Sequence, residues 1–241
     1  MASKLWAPKE ISTPEQMIAE ARKAFFVMFG FLVVVWALQV VNWMDSQHLS
    51  MDYGVVPHDT ARLQDIFAAP FLHFSWAHIE SNSGPLFVFG FLAAYRGVVR
   101  FLWLTLLVTI TSGMAVWLFQ GSNTVGVGAS GVIFGYFGYV VLRGIFDRHL
   151  IDTLIGLVMA ASFAYILTVA VPGTPGVSWL AHLGGLVGGV AGAWLLRDRR
   201  SAAVPVEAGA GAAAAPAVAP GNELDQTRSD LHKELGDLGL L

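Results

Sequence analysis

Gly128-Ala129-Ser130-Gly131, followed at helical spacing by Gly135 and Gly138, is the stretch whose reading decides the fold. It opens a short apolar run. The pattern returns at Ala181-His182-Leu183-Gly184-Gly185, with Gly189 and Gly192 beyond. In each run the glycines recur every three or four residues, which places them on one helical face. Faces of small residues let membrane helices approach closely. One face is headed by a serine and the other by a histidine. Polar groups are costly in hydrocarbon, so an ionisable residue inside a membrane segment is a functional candidate by default. A serine alone would be ordinary, bonding a backbone carbonyl. Ser130 with His182 supplies a nucleophile and its base.

The rest of the chain is consistent with a membrane setting. Of its 241 residues, 55% are hydrophobic and 13% charged, about half the charge of a soluble domain. The net charge of -3 averages over two aqueous sides and selects no partner; nothing in it points to nucleic acid. The absence of cysteine removes disulfides, thiolate metal sites and a cysteine nucleophile. The first apolar stretch follows Arg22 and Lys23, as in a signal peptide. It is too long for an h-region, and Val41-Asn42-Trp43 offers no small-residue cleavage site, so a retained span is expected.

Six apolar segments can be drawn, at about 24–43, 76–95, 101–119, 128–142, 150–171 and 178–196. Most approach the ~20 residues that a span needs. The expected fold is an all-α polytopic bundle of six transmembrane helices. The fourth segment is the shortest, which places it at the centre, surrounded by the others. With an even number of spans both termini share one side. Arg62 is then the only one of the 14 Lys and Arg on the other side. The charge bias predicts a multi-pass protein of the plasma (inner) membrane with both termini cytoplasmic. Segments two, four and six then enter from outside, so His73, His78, Asn82, Ser130 and His182 share one layer beneath the outer surface.

The expected organisation is a cytoplasmic N-terminal segment (1–23), a membrane core (24–196) and a cytoplasmic tail (197–241). Thr13-Pro14-Glu15-Gln16 is a good helix start. Residues 201–221, mostly Ala, Gly and Pro, read as a linker. Leu224, Leu231, Leu235 and Leu238 beyond it suggest either a short amphipathic helix that meets a partner or a frayed tail. The outer loop of about 44–75 mixes apolar residues such as Ile66 and Phe71 with polar ones, as a segment lying in the interface would. Residues 120–127 can dip inward if they line a cavity.

A serine hydroxyl is a weak nucleophile until a base takes its proton, and histidine suits that task. No Asp or Glu lies near the outer ends of segments four to six, so the arrangement is a dyad. Phe134, one turn after Ser130, is placed to pack on the His182 ring. His78 and Asn82 are i and i+4 on one face of segment two. Both could donate to a developing oxyanion, with the Ser130 N–H as a third donor. Snorkelling of His78 and interhelical bonding of Asn82 are rival readings. His73, His78, Glu80 and His182 can be assembled on paper into a zinc site. The His73–His78 spacing is poor for one helical face, and no His-Glu-x-x-His occurs, so neither metal nor other cofactor is expected.

The sequence His78-Ile79-Glu80-Ser81-Asn82, then Gly128-Ala129-Ser130-Gly131, then Ala181-His182 with Gly185 and Gly189, resembles the rhomboid intramembrane serine proteases over about 24–196. The resemblance implies a six-helix core and a serine endopeptidase that cuts in or beside transmembrane helices of single-pass substrates through an acyl-enzyme. It implies Ser130 as nucleophile, His182 as general base, and His78 and Asn82 as oxyanion donors. Gly128 is similar to the glycine that keeps that pocket open, and His73 to a structural histidine. Phe163, Tyr165 and Trp179 are candidates for a lateral gate at helix five and the loop before helix six. Many rhomboids carry a Trp-Arg pair in the first outer loop; here the comparable stretch is Arg62-Leu63-Gln64-Asp65. Two other function classes compete: a non-enzymatic binder of unstable transmembrane helices, and a transporter, for which no internal repeat or intramembrane carboxylate pair is apparent.

Overall fold

A computed structural model describes residues 13–198. They form a helical bundle: α1 (Pro14–Met44), α2 (His48–Tyr53), α3 (Trp76–Ala94), α4 (Val98–Phe119), α5 (Ser130–Asp147), α6 (Leu150–Ser162) and α7 (Trp179–Leu195). Short 3-10 stretches at Thr60–Phe67, Ala69–Phe71 and Ala164–Ala170 connect them. Local chemistry sets several of the starts. The Thr13, Ser75 and Ser178 side chains accept from the N–H groups of Gln16, His78 and Ala181, at 3.3, 3.1 and 3.2 Å. The start at Thr13 and the first apolar segment are one continuous helix of 31 residues.

α1 and α4 are long and apolar enough to cross a membrane on their own. α6 and the 3-10 stretch after it would make a third span, bent by 63°. A straight segment of 150–171 is what the sequence suggests, and Ser162-Phe163-Ala164 contains no helix breaker. The contacts at the bend are tertiary: the Phe163 ring meets Phe89 of α3 edge-on, with centroids 4.9 Å apart. Lipid-facing positions on the outer helices, such as Phe26 on α1 and Val158 on α6, are exposed. α5 is buried on all sides from Gly131 to Val140, so an 18-residue helix sits inside the bundle without needing full span length.

Glycines decide how closely α7 packs. A Cβ on Gly185 would strike the Gly131 carbonyl oxygen, and one on Gly189 the Gly135 carbonyl oxygen. These residues let α5 and α7 touch backbone to backbone. Gly192, read with them from its spacing, instead faces Leu104 of α4. Gly184 and Gly188 join it, abutting Thr111 and its neighbours on α4. The doubled glycines of α7 thus serve two helices, because α7 is wedged between α4 and α5.

The end of the bundle opposite Ser130 is tied by charge. Arg143 bonds Asp147 at 2.8 Å and reaches Asp198, which also pairs with Arg100; Arg96 pairs with Asp152. Arg143 and Asp147 are buried, so these two are interior partners rather than solvated flanks. Their mutual pairing is what makes such burial tolerable.

The long connection between α1 and α3 is folded against α4. Ile66 packs on Gly113, and Val55 pairs through its backbone with Gly126 in the loop before α5. Lacking a Trp-Arg pair, the loop is held by Arg62. Its Nη2 donates to the carbonyls of Met51, Asp52 and Gly54 at 3.0, 2.5 and 3.1 Å, and its Nε to Asp65 at 2.8 Å. Arg62→Ala is expected to lower stability by about 1–2 kcal/mol. Thermal unfolding in detergent checks this, with Arg62→Lys giving partial rescue.

Candidate active site

The N-termini of α3, α5 and α7 converge on a cavity of about 860 Å³, walled also by α4 and by the Ala164–Ala170 stretch. Its volume is in the range of small-molecule and substrate sites. Ser130, His182, His78, Asn82 and Gly128 all line it.

The close approach of α5 and α7 brings the two principal side chains together. His182 Nε2 lies 2.9 Å from Ser130 Oγ. Nδ1 lies 2.7 Å from the Val169 carbonyl oxygen. A carbonyl can only accept, so Nδ1 carries the hydrogen and donates it, leaving the Nε2 lone pair to accept from the serine hydroxyl. The Phe134 ring stacks on the imidazole, with centroids 4.3 Å apart and planes 11° from parallel. His182 is 2% exposed. The imidazole is therefore fixed by a ring on its face and by a hydrogen bond at each nitrogen. Among the described residues no carboxylate bonds it.

The other side of the site is backbone. Gly128 has φ +121°, a region that side chains rarely enter. A Cβ there would lie 2.7 Å from His78 Nε2 and 3.8 Å from Asn82 Nδ2. Glycine is thus required twice, for its dihedral and for the space before His78 and Asn82. α5 begins immediately afterwards, with no side-chain cap on its N-terminus. Its first N–H groups have no partner within the helix, and such an end favours developing negative charge. Asn82 Nδ2 is buried, and among the described residues it has no hydrogen-bond partner.

His73 supports this turn from behind. Its Nε2 accepts from the Ala129 N–H at 3.3 Å. Its carbonyl receives Asn42 Nδ2 at 2.9 Å and the Ser50 hydroxyl at 3.3 Å. Burial, and secondarily the proximity of His78, push the His73 pKa down to about 3, so the ring is neutral and able to accept. The His73 and His78 rings meet edge to face at 4.8 Å. Glu80 is exposed, and no group of three or more His, Asp or Glu among the described residues is arranged to hold a metal ion.

Of the three gate candidates, Phe163 marks the bend after α6, Tyr165 is exposed on the 3-10 stretch, and Trp179 starts α7. Two elements of the site escaped sequence reasoning. The Val169 carbonyl leaves no side-chain signal. Ser178, which caps α7 and bonds Gln120, was not singled out, although a serine ahead of an apolar run is a helix-start signal.

A helical membrane bundle with a serine–histidine pair in a cavity at one end defines a class of intramembrane-protease-like proteins. The chain belongs to the rhomboid family: the family's Rhomboid domain matches residues 60–199. An uncharacterized protein of Mycobacterium tuberculosis is 36% identical over 174 residues, 69% of this chain and 72% of that protein. An uncharacterized protein of Mycobacterium leprae is 34% identical, over 69% of this chain and 68% of its own. Rhomboid-like protein 11, chloroplastic, of Arabidopsis thaliana is 32% identical, over 61% and 57%. The chain is accordingly a multi-pass membrane protein of a family that is generally proteolytic.

Proposed function

We propose that this protein is an intramembrane serine endopeptidase that cuts transmembrane segments of single-pass proteins through a Ser130–His182 dyad. The observation that carries the reading is the 2.9 Å bond between Ser130 Oγ and an imidazole nitrogen left free to accept. His182 Nε2 takes the serine proton as Oγ attacks the scissile carbonyl, and returns it to the leaving amine. Water admitted through the cavity then hydrolyses the acyl-enzyme with His182 again as base. The oxyanion is received by His78, Asn82 and the Ser130 N–H at the uncapped start of α5. His73 and Phe134 hold the turn and the base. The core of 24–196 carries this activity in the plasma membrane, with both termini cytoplasmic, a side assigned from the placement of Arg62 alone among the basic residues.

A substrate helix must expose its backbone to Ser130, so a helix-breaking Gly or Pro near the cut and a small residue at it are preferred. The test is the purified chain in liposomes with a tagged single-span substrate, its products sized by mass spectrometry. Cleavage within or beside the span is the expected result; an intact substrate across a panel with destabilised spans defeats the proposal. Asn82→Ala is expected to lower kcat by about 10²-fold with KM little changed, measured in the same assay. A binder of unstable helices would bind that panel and leave it uncut.

A further inference from the structure

The hydrogen bond from His182 Nδ1 ends on a main-chain carbonyl, not a side chain. Val169 belongs to the 3-10 stretch Ala164–Ala170, which is set at 63° to α6 and forms one wall of the cavity. This stretch is lightly anchored. Tyr165 and Leu167 are exposed, and the loop that follows contains Gly173 and Gly176, both at positive φ and with open space around them. Ile166 is its one buried residue. With no carboxylate beside it among the described residues, the imidazole has its tautomer set by whatever main-chain group accepts from one nitrogen.

We propose that the Val169 main chain is the positioning group for His182, so that alignment of the base depends on the bend after α6. This rests on the proposed dyad and specifies how its base is oriented. With the stretch in place, Nδ1–H donates to Val169 and Nε2 faces Ser130. With the stretch displaced, the ring loses the acceptor that holds it in the Nδ1–H form and one of its three restraints, leaving Phe134 and Ser130. Val169 thus both lines the cavity and orients the base, and whatever occupies the cavity must leave its main chain in place for Ser130 to be activated.

The test uses the full chain in detergent micelles. Nitrogen-15 spectra of the histidine rings, with His182 assigned by its loss in His182→Gln, are expected to show Nδ1 protonated and Nε2 bare at neutral pH. The opposite tautomer overturns the proposal. Ala170→Pro is the perturbing variant: the residue before a proline is driven out of helical dihedrals, which swings the Val169 carbonyl away without touching a cavity-lining side chain. Ala170→Gly is the control. Labelling of Ser130 by a fluorophosphonate is expected to be slower in Ala170→Pro by at least about tenfold, with loss of the single tautomer, and to stay at the wild-type rate in Ala170→Gly. A folded Ala170→Pro protein with wild-type rate and tautomer overturns the proposal. If that variant does not fold, the wild-type tautomer decides. A wild type that never labels defeats the protease reading instead, while its spectrum still reports whether Val169 holds the ring.

Discussion

Ser130→Ala is expected to lower cleavage of a single-span substrate by about 10⁴-fold or more, and His182→Ala by a comparable factor. The two groups act as one unit, since the hydroxyl is activated only through its bond to Nε2. Their losses should not add: the double variant is expected to be no slower than the worse single variant. Neither change should unfold the protein. Ser130 sits at a helix start and is not fully buried, and alanine is well tolerated in a helix. His182→Ala leaves a gap beside Phe134, so its thermal midpoint should fall while the helical spectrum is kept. The measurement is product formation in liposomes at matched, folded protein concentrations. Cleavage by either purified variant at more than a few per cent of wild type would exclude the dyad.

The second large effect concerns residues that carry no chemistry. Gly185→Leu is expected to cost about 3 kcal/mol or more of stability and to remove Ser130 labelling. Overpacking a tight core costs about 1–3 kcal/mol where side chains can move aside; here the obstruction is the Gly131 carbonyl oxygen, part of a helix backbone. The helices must separate, and separation takes His182 away from Ser130. Gly189→Leu, one turn deeper against Gly135, should destabilise similarly. Gly30 of α1 has open space where a Cβ would stand, so Gly30→Leu is the control and should do neither. Thermal unfolding in detergent, paired with fluorophosphonate labelling, reads both quantities. Wild-type stability in Gly185→Leu would mean that the α5–α7 contact does not set the geometry of the pair.

The spacing of glycines after Ser130 and His182 was enough to indicate that two helices meet there, because small residues are what such approach requires. The same spacing misassigned Gly192, since a one-dimensional period cannot tell which of two neighbours a face will meet. His78 and Asn82 were legible as a shared face, but not the positive φ of Gly128 that opens the turn before them. Arg62 stands out in the sequence as the one basic residue on the outer side, in a stretch without the Trp-Arg pair, whereas its bonds to the carbonyls of Met51, Asp52 and Gly54 are tertiary.

The sequence by itself determined the membrane setting, the helical class, the two polar residues at the heads of the glycine faces and the placement of Ser130 on a central segment. Each follows from composition or from a period of 3.6 residues, which are properties of the chain alone. The tertiary structure decided the break at Phe163, the burial of Arg143 with Asp147, and the bond from His182 to Val169. None of these is written in local sequence. A backbone carbonyl is the same at every position, and only the folding of distant segments against one another determines which donor it meets.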